Sequence, residues 1–189
     1  GMGEPLANYD AVSRALKILM DPGGLAFSHR RITVSTAGLA PQLRRLGEDS
    51  PVNLAISLHA AEDSVRDALM PINRTYPLAE LMAACRDYPI PPRKRISFEY
   101  IVIEGVNDQP EQARKLIKLL HGVRAKINLI PFNPHDASAL HQPSEEGMLA
   151  FQDVLRKTHI TTTIRRSRGA DIGAACGQLA AKYRSKLSH

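Results

Sequence analysis

The chain has 189 residues, 43% hydrophobic and 23% charged, which suits one globular domain spanning residues 1–189. No run of about 18 apolar residues appears, which excludes a helical membrane span, and two cysteines, Cys85 and Cys176, are too few for a disulfide framework. The net charge of +6, from 25 Lys and Arg against 19 Asp and Glu, is a mild sign of a polyanionic partner; reduced thiols and the lack of a charged-then-apolar leader point to the cytoplasm.

Taken in chain order, Val12, Ala15, Leu16 and Leu19 recur at helical spacing and predict a helix over 8–20, which Asp21-Pro22-Gly23-Gly24 stops. A strand is expected over 31–36, then a short helix over 41–46. Residues 53–59 alternate, with Leu54, Ile56 and Leu58 on one face and Ala55, Ser57 and His59 on the other. Helical patterns cover 62–70 and 78–87, and Pro89, Pro91 and Pro92 block any continuation. A strand over 96–103 follows. Asp108 and Glu111 form a capping-box pattern ahead of Ala113, Leu116, Ile117 and Leu120. The strand 126–132, a helix capped by Ser144 and bearing Met148, Phe151 and Leu155, a β-branched strand over 161–166 and a last helix over 171–186 complete the chain.

Strands alternating with helices at this spacing predict an α/β protein with a parallel sheet, open or curved into a barrel. In such folds the site lies where the strands end. The residues at those exits are Gly3 and Glu4, Ser35, Ser57 and His59, the segment 104–108, and Asn133. Gly3 permits close backbone approach, Glu4 offers a carboxylate suited to a ligand amine, and Ser35, Ser57 and Asn133 suit a ribose or an α-amino acid. Each also has an ordinary reading, since Ser and Asn are common where strands turn into loops. His59 reads equally as a half-buried histidine bonded to backbone, and no partner stands at zinc-ligand spacing, so no metal site is expected in these residues.

Six segments in order carry a resemblance: Gly1-Met2-Gly3-Glu4-Pro5-Leu6, Ile32-Thr33-Val34-Ser35-Thr36-Ala37-Gly38, Ser57-Leu58-His59-Ala60, Gly105-Val106-Asn107-Asp108, Asn128-Leu129-Ile130-Pro131-Phe132-Asn133-Pro134, and Arg168-Gly169-Ala170-Asp171-Ile172-Gly173-Ala174-Ala175-Cys176-Gly177-Gln178-Leu179. Together they resemble the radical S-adenosylmethionine RNA adenine methyltransferases of the RlmN and Cfr type. The resemblance implies a partial parallel (β/α) barrel of the radical S-adenosylmethionine type, with its amino-terminal strands and cluster loop missing from this chain. It implies that Gly3, Glu4, Ser35, Ser57, Leu58, His59 and Asn133 contact S-adenosylmethionine. It also implies an external electron donor for the cluster, with 23S rRNA and tRNA as substrates; a monomer is expected.

Read without the family, Cys176 lies on a helical stripe with Ile172, Ala175 and Leu179 and suits a core, while Gly173 and Gly177 suit an irregular turn. The resemblance implies instead that its sulfur is methylated by one S-adenosylmethionine. A second is cleaved at a 4Fe-4S cluster, and the resulting radical activates the sulfur-bound methyl for addition to carbon 2 of adenine. The three cysteines that would ligate the cluster, in Cys-x-x-x-Cys-x-x-Cys spacing, do not occur here. The chain is therefore expected to be the carboxy-terminal part of a radical S-adenosylmethionine core, inactive by itself. Methylation at carbon 8 and a catalytically inactive RNA-binding fragment are the alternatives. The basic runs Arg93-Lys94-Arg95 and Arg165-Arg166-Ser167-Arg168 either guide a phosphate backbone or serve as solvated surface charge or an internal ion pair.

Overall fold

The computed structural model describes residues 3–134 and 138–165. A 3-10 turn (Pro5–Asn8) leads into α1 (Tyr9–Met20), followed by β1 (Thr33–Thr36), α2 (Ala40–Asp49), β2 (Asn53–Ser57), α3 (Asp63–Leu69), α4 (Leu78–Asp87), β3 (Ile96–Val102), α5 (Pro110–Leu119), β4 (Ala125–Pro131), α6 (Glu145–Arg156) and β5 (Thr161–Ile164). The helix expected over 171–186, and Cys176 with it, lies outside the described residues.

Local chemistry sets the boundaries. Ser144 Oγ accepts from the Gly147 N–H at 3.0 Å and starts α6 as expected. β1 begins later than expected because His29–Arg31 form a 3-10 turn closed by Ser28. The capping box expected at Asp108 does not form. Pro110 occupies the first turn of α5 and makes Gln109 the capping position, so Asp108 lies one residue too early. Its Oδ1 accepts from the Gly105 N–H and from Gln109 Nε2 instead.

All five strands are parallel and lie in the order β1-β2-β3-β4-β5. Because the order never reverses and crossovers keep one hand, the helices fall on one face of the sheet. The α/β class and the parallel, barrel-like winding expected from the sequence are what the sheet has. β1 and β5 are not paired with each other, so the described strands form an open arc.

The two faces differ in chemistry. Val34, Leu54, Ile56, Phe98, Ile127 and Leu129 face the helices and join Leu43, Leu81, Met82, Leu116 and Leu155 in one core. Tyr100 packs on Phe151 with ring centroids 5.5 Å apart. The alternate residues of the same strands include Ser35, Ser57, Ser97, Glu99, Asn128 and Thr163, so the other face carries a polar set beside Ala55, Ile101 and Ile130.

Candidate functional site

At the carboxyl ends of the strands, polar side chains do two jobs: some hold backbone in place and some are left free. Glu4 belongs to the first group. Its Oε1 accepts from the Leu6 N–H at 3.0 Å and from Thr36 Oγ1 at 2.7 Å, and its Oε2 from the Ala37 N–H at 2.6 Å. These three donors fill most of the carboxylate's acceptor capacity. The carboxylate staples the segment bearing Gly3 to the exit of β1, and the one acceptor position left, on Oε2, is where the expected ligand amine would have to bind. Gly3 is exposed, and a Cβ built on it would meet nothing within 4 Å, so its backbone is open to close approach.

The turn after β1 needs a glycine. Gly38 has φ +105°, and a Cβ there would stand 2.9 Å from Leu81 Cδ1.

Arg66 on α3 anchors the neighbouring exits. It is fully buried. Its Nη2 donates to Ala37 O at 2.7 Å and Ser57 O at 3.2 Å, its Nε to Leu58 O at 3.1 Å and its Nη1 to Asn73 Oδ1 at 2.8 Å. Asn73 in turn donates to Asp63 and Asp67, so the compensating carboxylates stand one residue away. Burial lowers the pKa of Arg66, with Asp63 opposing that shift. One guanidinium thus ties the ends of β1 and β2 together.

His59 and Leu58 differ from expectation. β2 ends at Ser57, and His59 has φ +60°, so Ser57 and His59 do not share a strand face. The reason is a bulge-like ending in which the Leu58 and His59 N–H groups both donate to Glu99 O, at 3.0 and 3.4 Å. The Leu58 side chain enters the core at 0% exposure. His59 Nδ1 accepts from the Ile101 N–H at 3.1 Å, which requires a neutral ring protonated on Nε2. Burial, and secondarily the Arg66 charge, push its pKa down to about 4. The backbone-bonded reading of this histidine is therefore realised.

Asn107, almost fully buried, binds this turn to β3. Its Oδ1 accepts from the Ile103 N–H at 2.7 Å, and its Nδ2 donates to His59 O and Ile101 O, each at 2.8 Å. The remaining sequence-predicted residues lie at the same end of the sheet. Ser35 is exposed on β1 and Ser57 closes β2; neither hydroxyl has a partner among the described residues. Asn133 follows β4 by two residues. Sequence reasoning missed Arg66, whose signal is a charged residue on the inner stripe of a short helix. It also missed Glu99, whose signal is its place in the alternation Ile96-Ser97-Phe98-Glu99-Tyr100.

An open glycine backbone and free hydroxyls at Ser35 and Ser57 fit a nucleoside and amino-acid ligand such as S-adenosylmethionine. An iron–sulfur cluster does not fit: no group of His, Cys, Asp or Glu among the described residues is arranged for a metal. Cys85 lies in the core at 1% exposure, and burial pushes its thiol up to about 12. The basic run 93–95 stands at the far end of the sheet, because Lys94 Nζ donates to Asn53 Oδ1 at 3.0 Å and Asn53 opens β2.

Comparison with known proteins places the chain in a family and matches its fold. Residues 1–117 match the model of the Radical SAM superfamily. A protein of Syntrophobacter fumaroxidans named dual-specificity RNA methyltransferase RlmN is 67% identical over 183 residues, covering 97% of this chain and 54% of the relative. One of the same name from Syntrophotalea carbinolica is 55% identical, covering 96% and 49%. The chain spans about half the length of the curated relatives it matches. A crystal structure of a radical SAM methyltransferase from Sphaerobacter thermophilus superposes with a TM-score of 0.88 at 49% identity, over 94% of this chain and 52% of that one. A domain of a pyruvate-formate lyase-activating enzyme from Bacteroides vulgatus shares the fold, with a TM-score of 0.66 at 22% identity over 86% of this chain and 94% of that one.

Proposed function

Because this chain belongs to the radical SAM superfamily, we propose that it is the part of an RNA methyltransferase that binds S-adenosylmethionine and carries Cys176, the sulfur that relays a methyl group to carbon 2 of an adenine in 23S rRNA and tRNA. The observation that carries this reading is the 67% identity, over nearly the whole chain, to a protein named dual-specificity RNA methyltransferase. The strand exits support it from the side of the residues.

S-adenosylmethionine, when bound, supplies the methyl group. The residues of this chain then bind and orient it. Gly3, held by the Glu4 staple, offers open backbone. Ser35, Ser57 and Asn133 offer hydroxyl and amide groups, and the turn through Leu58 and His59, fixed by Arg66 and Asn107, forms the wall beside them. His59, neutral across the physiological range, serves as a polar wall and not as a proton donor that switches near pH 7. The cluster has no fitting ligand set in the described residues, and no step through it is assigned to them. A cytoplasmic, monomeric enzyme with an external electron donor completes the proposal; no described helix is long and apolar enough to cross a membrane.

The test uses the full-length enzyme. Cys176→Ala abolishes adenine methylation, read by nucleoside mass spectrometry of 23S rRNA and tRNA from a deletion strain carrying the variant, while circular dichroism stays unchanged. Normal methylation by the variant refutes the role of Cys176. A modification that proves to be 8-methyladenosine refutes the assigned position on the base.

A further inference from the structure

The polar face of the sheet carries one row of side chains at a single register: Ser57 on β2, Glu99 on β3, Asn128 on β4 and Thr163 on β5. The hydrogen bonds along it run in one direction. Thr163 Oγ1 donates to Asn128 Oδ1 at 2.7 Å, and Asn128 Nδ2 donates to Glu99 Oε1 at 2.7 Å. Ser97, one row deeper, accepts from Asn128 Nδ2 at 3.2 Å and donates to the same Glu99 Oε1 at 3.4 Å. Both donors that reach Glu99, Asn128 Nδ2 and Ser97 Oγ, end on Oε1. Glu99 Oε2 is buried with no hydrogen-bond partner, and Glu99 enters no ion pair among the described residues.

A carboxylate oxygen withdrawn from water and left without a donor is unfavourable, so it is rare unless something else binds there. The ladder makes the arrangement deliberate. Asn128 and Ser97 both bond to Oε1, and a half-turn of the carboxylate only exchanges two equivalent oxygens, so one oxygen is left without these donors in either orientation. Directly across the β2–β3 pair stands Ser57, whose hydroxyl is also without a partner among the described residues. Opposed side chains on paired strands are about 5 Å apart at Cβ, a spacing that lets a hydroxyl and a carboxylate reach one small polar group between them. An ionised carboxylate only accepts hydrogen bonds. It therefore selects an O–H or N–H donor and turns away phosphate and carboxylate.

We propose that Glu99 Oε2, together with Ser57, accepts a hydrogen bond from an O–H or N–H donor of bound S-adenosylmethionine, either a ribose hydroxyl or the α-ammonium. The inference rests on the proposed function and adds a ligand-contacting residue one strand further along the sheet than Ser57. The ladder through Asn128 and Thr163 is its positioning device.

Glu99→Gln separates this role from a structural one. The amide keeps an oxygen for Asn128 and Ser97 but presents N–H donors where Oε2 stood. In the full-length enzyme with its cluster, equilibrium dialysis gives dissociation constants for S-adenosylmethionine, S-adenosylhomocysteine and 5′-methylthioadenosine. The variant is expected to bind S-adenosylmethionine about 10- to 100-fold more weakly, with the melting temperature of the ligand-free enzyme preserved. An equal loss for methylthioadenosine identifies the ribose hydroxyl as the donor; a loss confined to the two ligands with an amino-acid moiety identifies the ammonium. A loss for S-adenosylmethionine alone would mean that only sulfonium charge is sensed, and it overturns the proposal. Binding within about twofold of wild type overturns it too. Glu99→Asp, which keeps the charge and withdraws it by one methylene, is the second variant if the first does not fold: it also weakens binding, and unchanged affinity again overturns the role. Failure of the wild-type enzyme to bind S-adenosylmethionine would instead strike the proposed function.

Discussion

At His59 one backbone torsion decides what the side chain does. With φ at +60° the residue leaves the strand, and its Nδ1 turns to the Ile101 N–H. The ring must be neutral to accept that bond, and its pKa falls from 6.5 to about 4. A depressed histidine contributes stability that is complete above pH 6.5. Below that pH the unfolded chain takes up a proton that the folded chain refuses until about pH 4, so the contribution disappears between these values. The expected decrease is about 3 kcal/mol across the window. Chemical denaturation of wild type and His59→Gln at pH 7 and pH 4.5 checks it: the gap in unfolding free energy between the two should shrink or reverse as pH falls. A gap that stays constant would show that the ring is not held neutral. The sequence supplied the residue and both of its readings, yet the torsion that separates them arises from contacts with Glu99 O on another strand. Local pattern carries no trace of it.

At the level of elements, most boundaries were legible because each rests on local chemistry. α4 spans the expected 78–87, and α6 opens on Ser144 as its cap. The misplaced start of α5 shows the limit of such reading: two local rules competed, and proline at the first turn outweighed an acidic residue one position too early. What joins the elements was less legible. Asn107 lies in a loop, and in sequence it reads as turn chemistry, whereas its side chain ties the β2 turn to β3 through three hydrogen bonds. Asn107→Ala deletes all three and leaves two carbonyls and an N–H short of a partner, an expected cost of about 3 kcal/mol. Asn107→Asp is worse, since it keeps the acceptor but sets a buried charge against the His59 and Ile101 carbonyls. For a domain of this size the alanine variant should melt roughly 6–12 °C lower. Thermal unfolding followed by circular dichroism ranks the two, and an aspartate variant as stable as wild type would remove Asn107 from this role.

On the scale of the whole molecule, the parallel sheet gives the chain two distinct ends, and charge has to be judged by the end on which it falls. The strand exits bear Gly3, Ser35, Ser57, His59 and Asn133. The basic run 93–95 precedes β3, and Lys94 reaches the first residue of β2. β3 has seven residues; at roughly 3.3 Å per residue the two ends stand about 20 Å apart. That exceeds the Debye length of about 8 Å at physiological salt. Net charge alone suggests that every arginine helps to recruit a polyanion, but this geometry separates Arg93 and Arg95 from the site by more than twice the screening distance. Replacing both with Gln in the full-length enzyme should leave KM for RNA within about twofold of wild type, and the salt dependence of binding should keep its slope. Every phosphate that these two arginines neutralise would add about one to that slope. A slope reduced by about two in the double variant would mean that RNA wraps around the molecule to its far end, and the footprint of the substrate would then have to span the sheet from the strand exits to the strand starts.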